Sequence, residues 1–255
     1  MHITKEREIR VYDQGKWSVV KDYLVTEENL QIILNGVELV NIACSPENTT
    51  QLAVGYLLSE GYIKIPGDIR SINADNPCCI KIETESHQDL AAASIRINTC
   101  LGRGRAGLPL LPLPAGDDCV HYTPAHMLKV INELDAASYT FQRTGGVHSA
   151  GLADNRQLLF RFEDIGRHNA VEKVIGQAFL QQIDLSDKCL LLSGRIAAEI
   201  LIKTARNGIP FVLSRSAPTL MAVETAEKLG LTVVGFARGG RFNLYCHGER
   251  ILIDQ

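Results

Sequence analysis

The stretch KCLLLSGRIAAEILIKTARNGIPFVLSRSAPTLMAVETAEKLGLTVVGFA, residues 188–237, decides the fold class. It contains three short apolar runs of the kind found in strands buried on both faces: 188–193, 209–214 and 231–237. Two helix-like segments, each followed by a glycine, separate the runs. Strand, helix, strand, helix and strand with short links predict right-handed crossovers and a largely parallel sheet.

The residues just before this stretch extend the same pattern. Residues 145–164, GGVHSAGLADNRQLLFRFED, predict a hairpin that turns at Asp154-Asn155. Residues 169–180, NAVEKVIGQAFL, predict a helix in which Asn169 and Glu172 form a capping box. His148, on the first predicted strand of the hairpin, is interpreted as a core histidine.

The first hundred residues predict a smaller, β-rich unit with one helix. Asn35-Gly36 between two apolar runs is a strong hairpin signal. The segment from Thr49 to Gly61 predicts a short helix, and residues 79–84 and 93–98 alternate like half-buried strands. Residues 101–120, rich in Gly and Pro, form the predicted boundary or mobile lid.

We therefore predict an α/β protein with a β-rich N-terminal α+β domain, residues 1–115, and an α/β C-terminal domain, residues 116–255. The chain has 255 residues, of which 45% are apolar and 22% charged, and a net charge of −3. This balance does not suit a polycationic nucleic-acid binder. No apolar run has the length of a transmembrane helix, and the charged N-terminus lacks a signal peptide, so we predict a cytoplasmic protein without membrane insertion.

The number and spacing of the cysteines bear on disulfides, metal binding and thiol chemistry. The seven cysteines are an odd number without CxxC spacing, which argues against a disulfide framework and against a metal site. Cys100 stands in INTCLGRGRAGLPLLPLP, residues 97–114, close to Arg103 and Arg105. A neighbouring guanidinium favours the nucleophilic thiolate. These residues alone leave two interpretations open, an activated thiol or an incidental cysteine in a surface loop.

Four arginine-bearing turns predict an anion site. Ligands of open α/β sheets bind outside the carboxyl ends of the parallel strands. If strand 157–162 is parallel to the other three strands, four turns lie at the same edge of the sheet. They are EDIGRHN (163–169), SGR (193–195), SRSAPT (214–219) and FARGGRFN (236–243). Three of the turns precede a helix N-terminus, which favours anions. Phosphate or pyrophosphate is the natural ligand, and unrelated surface arginines are the simpler alternative. The sequence leaves open what each of these contributes: Arg103, Arg167, His168, Arg195 and Arg215.

Several blocks together resemble the formate dehydrogenase accessory protein family, the FdhD/NarQ family, over nearly the whole chain. They are ILNGVEL, SPENTTQLAVGYLLSEGYI, GGVHSAGL, EDIGRHNAVEKVIG and the segment from SGRIAAEILIK to FARGGRFNLY. The resemblance implies a sulfurtransferase that accepts persulfide sulfur from a cysteine desulfurase. It implies transfer of that sulfur to the molybdenum bis(molybdopterin guanine dinucleotide) cofactor, as formate dehydrogenase activity requires. It also implies a homodimer and a cytidine deaminase-like, three-layer α/β/α C-terminal domain.

The resemblance also implies the site residues. The persulfide position aligns with Cys100, and the cofactor-binding segment, expected to accept GDP-like guanine nucleotides too, aligns with Phe236, Ala237, Arg238, Gly239, Gly240 and Arg241. The family loop usually carries CxxC, whereas this chain reads Cys100-Leu101-Gly102-Arg103. The missing second cysteine keeps a non-catalytic, cofactor-binding chaperone for formate dehydrogenase as the alternative. A nucleotide-binding regulator is a third interpretation, based only on the anion edge.

Overall fold

A computed structural model describes residues 3–85, 96–98 and 121–252. The strands are β1 (Thr4–Asp13), β2 (Lys16–Val25), β3 (Glu28–Leu34), β4 (Val37–Cys44), β5 (Ile69–Asn76), β6 (Cys79–Thr84), β7 (Arg96–Asn98), β8 (His148–Ala153), β9 (Leu158–Asp164), β10 (Cys189–Leu192), β11 (Phe211–Ser214), β12 (Thr232–Arg238) and β13 (Arg241–Cys246). The α-helices are α1 (Thr49–Ser59), α2 (Pro124–Ala136), α3 (Tyr139–Thr144), α4 (Arg167–Leu180), α5 (Ala198–Arg206) and α6 (Leu220–Leu229). None of these helices is long and apolar enough to span a membrane.

The larger sheet has the strand order β13-β12-β11-β10-β8-β9. Strands β10, β11 and β12 are parallel, which confirms the parallel core predicted from the apolar runs. Strand β8 is antiparallel to both β10 and β9. Strand β9 therefore runs in the same direction as β10, β11 and β12, which is the condition on which a shared ligand edge depended.

Helices cover both faces of this sheet. Leu190 and Val212 point to one face, where they join a core cluster with residues of α4, α5 and α6. Leu191 and Leu213, their neighbours along the strands, point to the other face and pack against α2. Because successive strand residues face opposite sides, each run had to be apolar throughout.

The second sheet, with the order β5-β6-β3-β4-β7, is formed by the N-terminal part of the chain. The predicted β3–β4 hairpin is confirmed, with Asn35 and Gly36 at φ 49° and 78°, as a tight hairpin turn requires. Helix α1 packs along α4. One cluster of buried apolar residues includes Leu30 of β3, Leu52 of α1 and Val174 of α4, so the two sheets share a core.

The capping box at Asn169 and Glu172 is wrong, because α4 begins at Arg167 with Gly166 as its N-cap. The β1–β2 hairpin and α3 were not predicted. The boundary or mobile lid at residues 101–120, and with it the division at 115/116, lies outside the described residues.

Candidate functional site

The carboxyl ends of β9, β10, β11 and β12 lie at one edge of the large sheet, together with the amino end of β8. The four arginine-bearing turns follow those strands, so they share this edge as predicted. From β9 to β12 there are four strand spacings, a distance of about 19 Å. We call this edge of the sheet the strand edge.

Asp164, at the end of β9, anchors one side of the strand edge. It is fully buried. Its Oδ1 accepts hydrogen bonds from Gly166 N at 2.9 Å and Asn169 Nδ2 at 2.8 Å. Its Oδ2 accepts from Ser45 N at 3.1 Å and pairs with Lys173 Nζ at 2.6 Å. A buried carboxylate with four donors is fully satisfied, and it fixes the end of β4 against the start of α4.

Strand β7 ends beside the same anchor. It pairs in parallel with β4, and its last residue, Asn98, lies opposite Ile42. Two residues further along, β4 ends at Cys44, and Ser45 then bonds to Asp164. The carboxyl end of β7 therefore points to the side of the molecule that carries Asp164.

The predicted persulfide residue follows β7 in the sequence. Cys100 is two residues beyond Asn98. Cys100, Arg103 and Arg105 lie outside the described residues, so their activation stays a prediction.

Four cationic or titratable side chains gather at the β8–β9 side of the edge. His148 begins β8, Arg167 and His168 begin α4, and Arg195 follows β10. We call these four residues the histidine–arginine cluster. A Cβ built on Gly194 would lie 3.2 Å from His148 Nδ1, so the glycine lets the loop after β10 approach this histidine closely.

Both imidazoles of the cluster are neutral at neutral pH. Burial, followed by the positive charge of Arg167, lowers the pKa of His148. Burial, followed by the charges of Lys203 and Arg167, lowers the pKa of His168 to about 3. His148 was interpreted as a core histidine, but it lies half-buried at the strand edge, in the field of Arg167 and Arg195. Because β8 runs antiparallel to its neighbours, its first residue, His148, lies at the strand edge.

The neutral His168 predicts a loss of stability in acid. Between its folded pKa of about 3 and its unfolded value of 6.5, the unfolded chain binds more protons. The free energy of unfolding therefore decreases as the pH falls through this window. We expect His168→Gln to show a flatter decrease, measured as urea midpoints between pH 6.5 and pH 3. The exposed His121→Gln variant is the control, and equal slopes in both variants would contradict the assignment.

The predicted cofactor segment forms the tip of the β12–β13 hairpin. Gly239 and Gly240 have φ values of 60° and 79°, and Arg238 lies opposite Arg241 across this turn. Two consecutive left-handed residues are what a type I′ hairpin turn needs, which explains the glycine pair. Both arginine side chains are exposed, and neither forms an ion pair within the described part of the chain.

The other two residues of that segment are less accessible. Ala237 is buried in the core cluster below α2, so only its backbone is available to a ligand. Phe236 sits at a bulge in β12 with φ 53°, and its N–H donates to Ser216 O. Arg238 and Arg241 are therefore the side chains of this segment best placed to bind phosphate.

The arginines of the four turns differ in their partners. Arg215 forms an ion pair with Asp135 of α2, and this carboxylate compensates the charge of the arginine. Within residues 3–85 and 121–252, no carboxylate pairs with the other four, Arg167, Arg195, Arg238 and Arg241. The strand edge therefore presents uncompensated positive charge at its two ends.

Burial disfavours the thiolate form of three described cysteines. Burial raises the pKa of Cys44 to about 12 and that of Cys246 to about 11, and it also raises the pKa of Cys189. Cys79 Sγ lies 3.3 Å from Gln31 Oε1, to which it donates a hydrogen bond. Among the residues that the structure describes, no group of three or more His, Cys, Asp or Glu side chains is placed to bind a metal ion.

This geometry defines an α/β protein with two sheets around a shared core and a cationic strand edge. The chain belongs to the FdhD/NarQ family, whose sequence profile matches residues 25–252. It is 38% identical to the sulfur carrier protein FdhD of Bacillus subtilis (strain 168), over 98% of both chains. It is 35% identical to the protein of the same name from Listeria monocytogenes serovar 1/2a, over 98% of this chain and 100% of that protein.

A solved structure shows the same fold. The crystal structure of a candidate formate dehydrogenase accessory protein from Desulfotalea psychrophila superimposes with a TM-score of 0.82 at 26% sequence identity. The match covers 98% of this chain and 100% of that one.

Proposed function

We propose that this chain is a sulfur carrier in the cytoplasm. Cys100 accepts sulfur from a cysteine desulfurase as a persulfide and passes it to the molybdenum bis(molybdopterin guanine dinucleotide) cofactor, its substrate, for use by formate dehydrogenase. The likeness to relatives named sulfur carrier protein FdhD, along 98% of the chain, carries this proposal.

The loading step is a thiol–persulfide exchange. The Cys100 thiolate attacks the outer sulfur of the donor's persulfide, and a new S–S bond forms while the donor's S–S bond breaks. The donor cysteine leaves with the electron pair as a thiolate, so no oxidant is needed. Arg103 and Arg105 favour this step because a nearby guanidinium stabilises the attacking thiolate.

Substrate binding is assigned to the hairpin tip. Arg238 and Arg241 hold phosphate oxygens by charge-assisted hydrogen bonds, and the adjacent glycines let the ligand approach the backbone. The exposure of both guanidinium groups and the absence of a described carboxylate partner support this role. GDP-like nucleotides should enter the same site.

The alternative is a non-catalytic chaperone that binds the cofactor and delivers it to formate dehydrogenase. Arg103 favours it, because this arginine stands where the family usually has the second cysteine of its loop. Arg103 cannot resolve a persulfide. The deaminase-like description of the C-terminal domain, the homodimer and the two-domain division belong to the proposal as features implied by the family resemblance.

Intact mass spectrometry tests the sulfur-carrying step. After incubation with a cysteine desulfurase and cysteine, the protein should gain about one sulfur atom per chain, because only an activated thiolate competes for the donor's persulfide. Cys100→Ala should abolish the adduct. Cys119→Ala is the matched control and should retain it. An adduct that maps to Cys78, Cys79 or Cys246 would show that the loop is wrongly assigned.

A further inference from the structure

The histidine–arginine cluster contains buried polar atoms that the rest of the described chain leaves without partners. His168 is 6% exposed, and neither of its ring nitrogens has a hydrogen-bond partner. Arg167 Nε is also buried without a partner. Native proteins rarely leave such groups unpaired, because each loses its bonds to water on folding. A ligand that accepts hydrogen bonds would satisfy Arg167 Nε and the one ring nitrogen of the neutral His168 that carries a proton.

The charge at the cluster identifies the kind of ligand. Arg167 and Arg195 have no carboxylate partner within the described ranges. The nearby Asp164 is neutralised by Lys173, and Glu163 accepts hydrogen bonds from the N–H groups of α3 and pairs with Arg161. Among the described residues, the acid that faces the cluster directly is Glu199, whose Oε2 lies 3.8 Å from His168 Nδ1 and whose side chain is about half exposed. The cluster is therefore suited to an anion.

Two helix N-termini add to this preference. Helix α4 begins at Arg167, has no side-chain cap and has no acidic residue in its first turn. Helix α5 begins at Ala198, shortly after Arg195, and also lacks a side-chain cap, although the half-exposed Glu199 lies in its first turn. Their free N–H groups and dipoles favour negative charge at the place where the two arginines lie. The neutral imidazoles of His148 and His168 can each donate one further N–H.

We propose that the histidine–arginine cluster is a second phosphate subsite, which binds the pyrophosphate of one dinucleotide arm while the β12–β13 hairpin tip binds the other. This inference rests on the proposed function, because it divides the same substrate between two ends of the strand edge. The ends are about 19 Å apart across four strand spacings. A ligand with two dinucleotide arms can reach both ends, and the second contact then forms at a high effective concentration.

The test isolates the cluster from the hairpin tip. Arg238→Gln and Arg241→Gln are combined in the full-length protein, and inorganic pyrophosphate is titrated at low salt while histidine ¹H–¹⁵N spectra are recorded. The signals of His148 and His168 should shift on binding. Adding Arg195→Gln should weaken pyrophosphate binding at least tenfold, because a guanidinium–phosphate contact is lost. Arg195 is exposed, so this variant is expected to fold.

The controls separate the outcomes. Arg156→Gln removes an exposed arginine from the β8–β9 turn, at the opposite end of the sheet, and should leave the affinity unchanged. Unshifted histidine signals, or an unchanged affinity in Arg195→Gln, would overturn the subsite. Equal affinity for inorganic phosphate and pyrophosphate would overturn the assignment to a dinucleotide arm. The test protein already lacks Arg238 and Arg241, and the pyrophosphate titration does not depend on Cys100. If the chain proved not to carry sulfur, the histidine shifts and the pyrophosphate affinities would therefore be the same.

Discussion

Cys100→Ala is expected to bind guanine nucleotides as tightly as the unmodified chain and yet to leave formate dehydrogenase inactive. The physical reason is that the proposed sulfur carrier and the phosphate contacts are different groups on different segments. Alanine at position 100 removes the nucleophile, and all the arginines of the strand edge remain in the sequence. The measurement is formate dehydrogenase activity in cells that lack their own carrier, paired with calorimetry of GDP binding to the purified variant.

The reciprocal variants should show the opposite pattern. Arg238→Ala and Arg241→Ala should still acquire the sulfur adduct at Cys100, while each weakens GDP binding by about 1.5–3 kcal/mol, the contribution of a hydrogen bond to a charged group. The affinity that remains should fall as salt is added, because salt screens exposed charge pairs. Cys119→Ala should match the unmodified chain in both assays.

The activity of Cys100→Ala decides between carrier and chaperone, and that of Arg103→Cys tests how the carrier works. Full formate dehydrogenase activity with Cys100→Ala would rule out the sulfur carrier and leave the chaperone. Arg103→Cys restores the spacing that the family usually has. A large gain in activity would mean that a single cysteine limits transfer, whereas no gain would fit a mechanism that needs only Cys100 and its neighbouring arginine.

The parallel part of the fold was predictable because its signals are local. A strand buried on both faces is apolar along its whole length, and 209–214 shows this without any knowledge of its partners. The β1–β2 hairpin gives no such signal. Within the described ranges its two strands pair with each other alone, and most of their side chains, including Trp17 and Val19, are exposed. The half-buried apolar alternation of β1 is limited to Ile9 and Val11, which is too short to predict a strand.

The site was predictable only in part, because its key contacts are long-range. Arginine in each turn could be recognised from the chain alone. The anchor at Asp164 could not, because Ser45 donates to it from 119 residues away. His148 was misplaced because a strand's side-chain pattern does not show which end of the strand meets the ligand edge. The insertion of β8 between β9 and β10 decides that, and it is a property of the whole sheet.

The contact between α1 and α4 depends on two glycines. A Cβ built on Gly55 would lie 2.6 Å from the carbonyl carbon of Glu172 and closer still to its oxygen. A Cβ on Gly176 would lie 2.8 Å from Gly55 N and would overlap the carbonyl oxygen of Gln51. The helices therefore meet backbone to backbone. Backbone atoms cannot rotate away as a flexible side chain can.

Gly176→Ala is therefore expected to destabilise the protein strongly, although alanine is the better helix former. Helix propensity alone favours alanine over glycine by about 1 kcal/mol. Overpacking commonly costs about 1–3 kcal/mol and occasionally more. Because the overlap is with backbone, we expect an overpacking cost above this range, about 4 kcal/mol. The net loss is then about 3 kcal/mol, a large part of a typical stability of about 5–15 kcal/mol. The measurement is the urea midpoint of unfolding.

Gly67→Ala is the matched control for the loss of a glycine. The nearest described heavy atom to a Cβ at position 67 is 4.0 Å away, so this variant should unfold at nearly the same urea concentration as the unmodified chain. Helix α4 also carries Arg167 and His168 on its first turn, so a shift of its axis should weaken pyrophosphate binding before the chain unfolds. An unchanged or higher urea midpoint in Gly176→Ala would show that α1 and α4 can separate without loss, and that the contact does not hold the cluster in place.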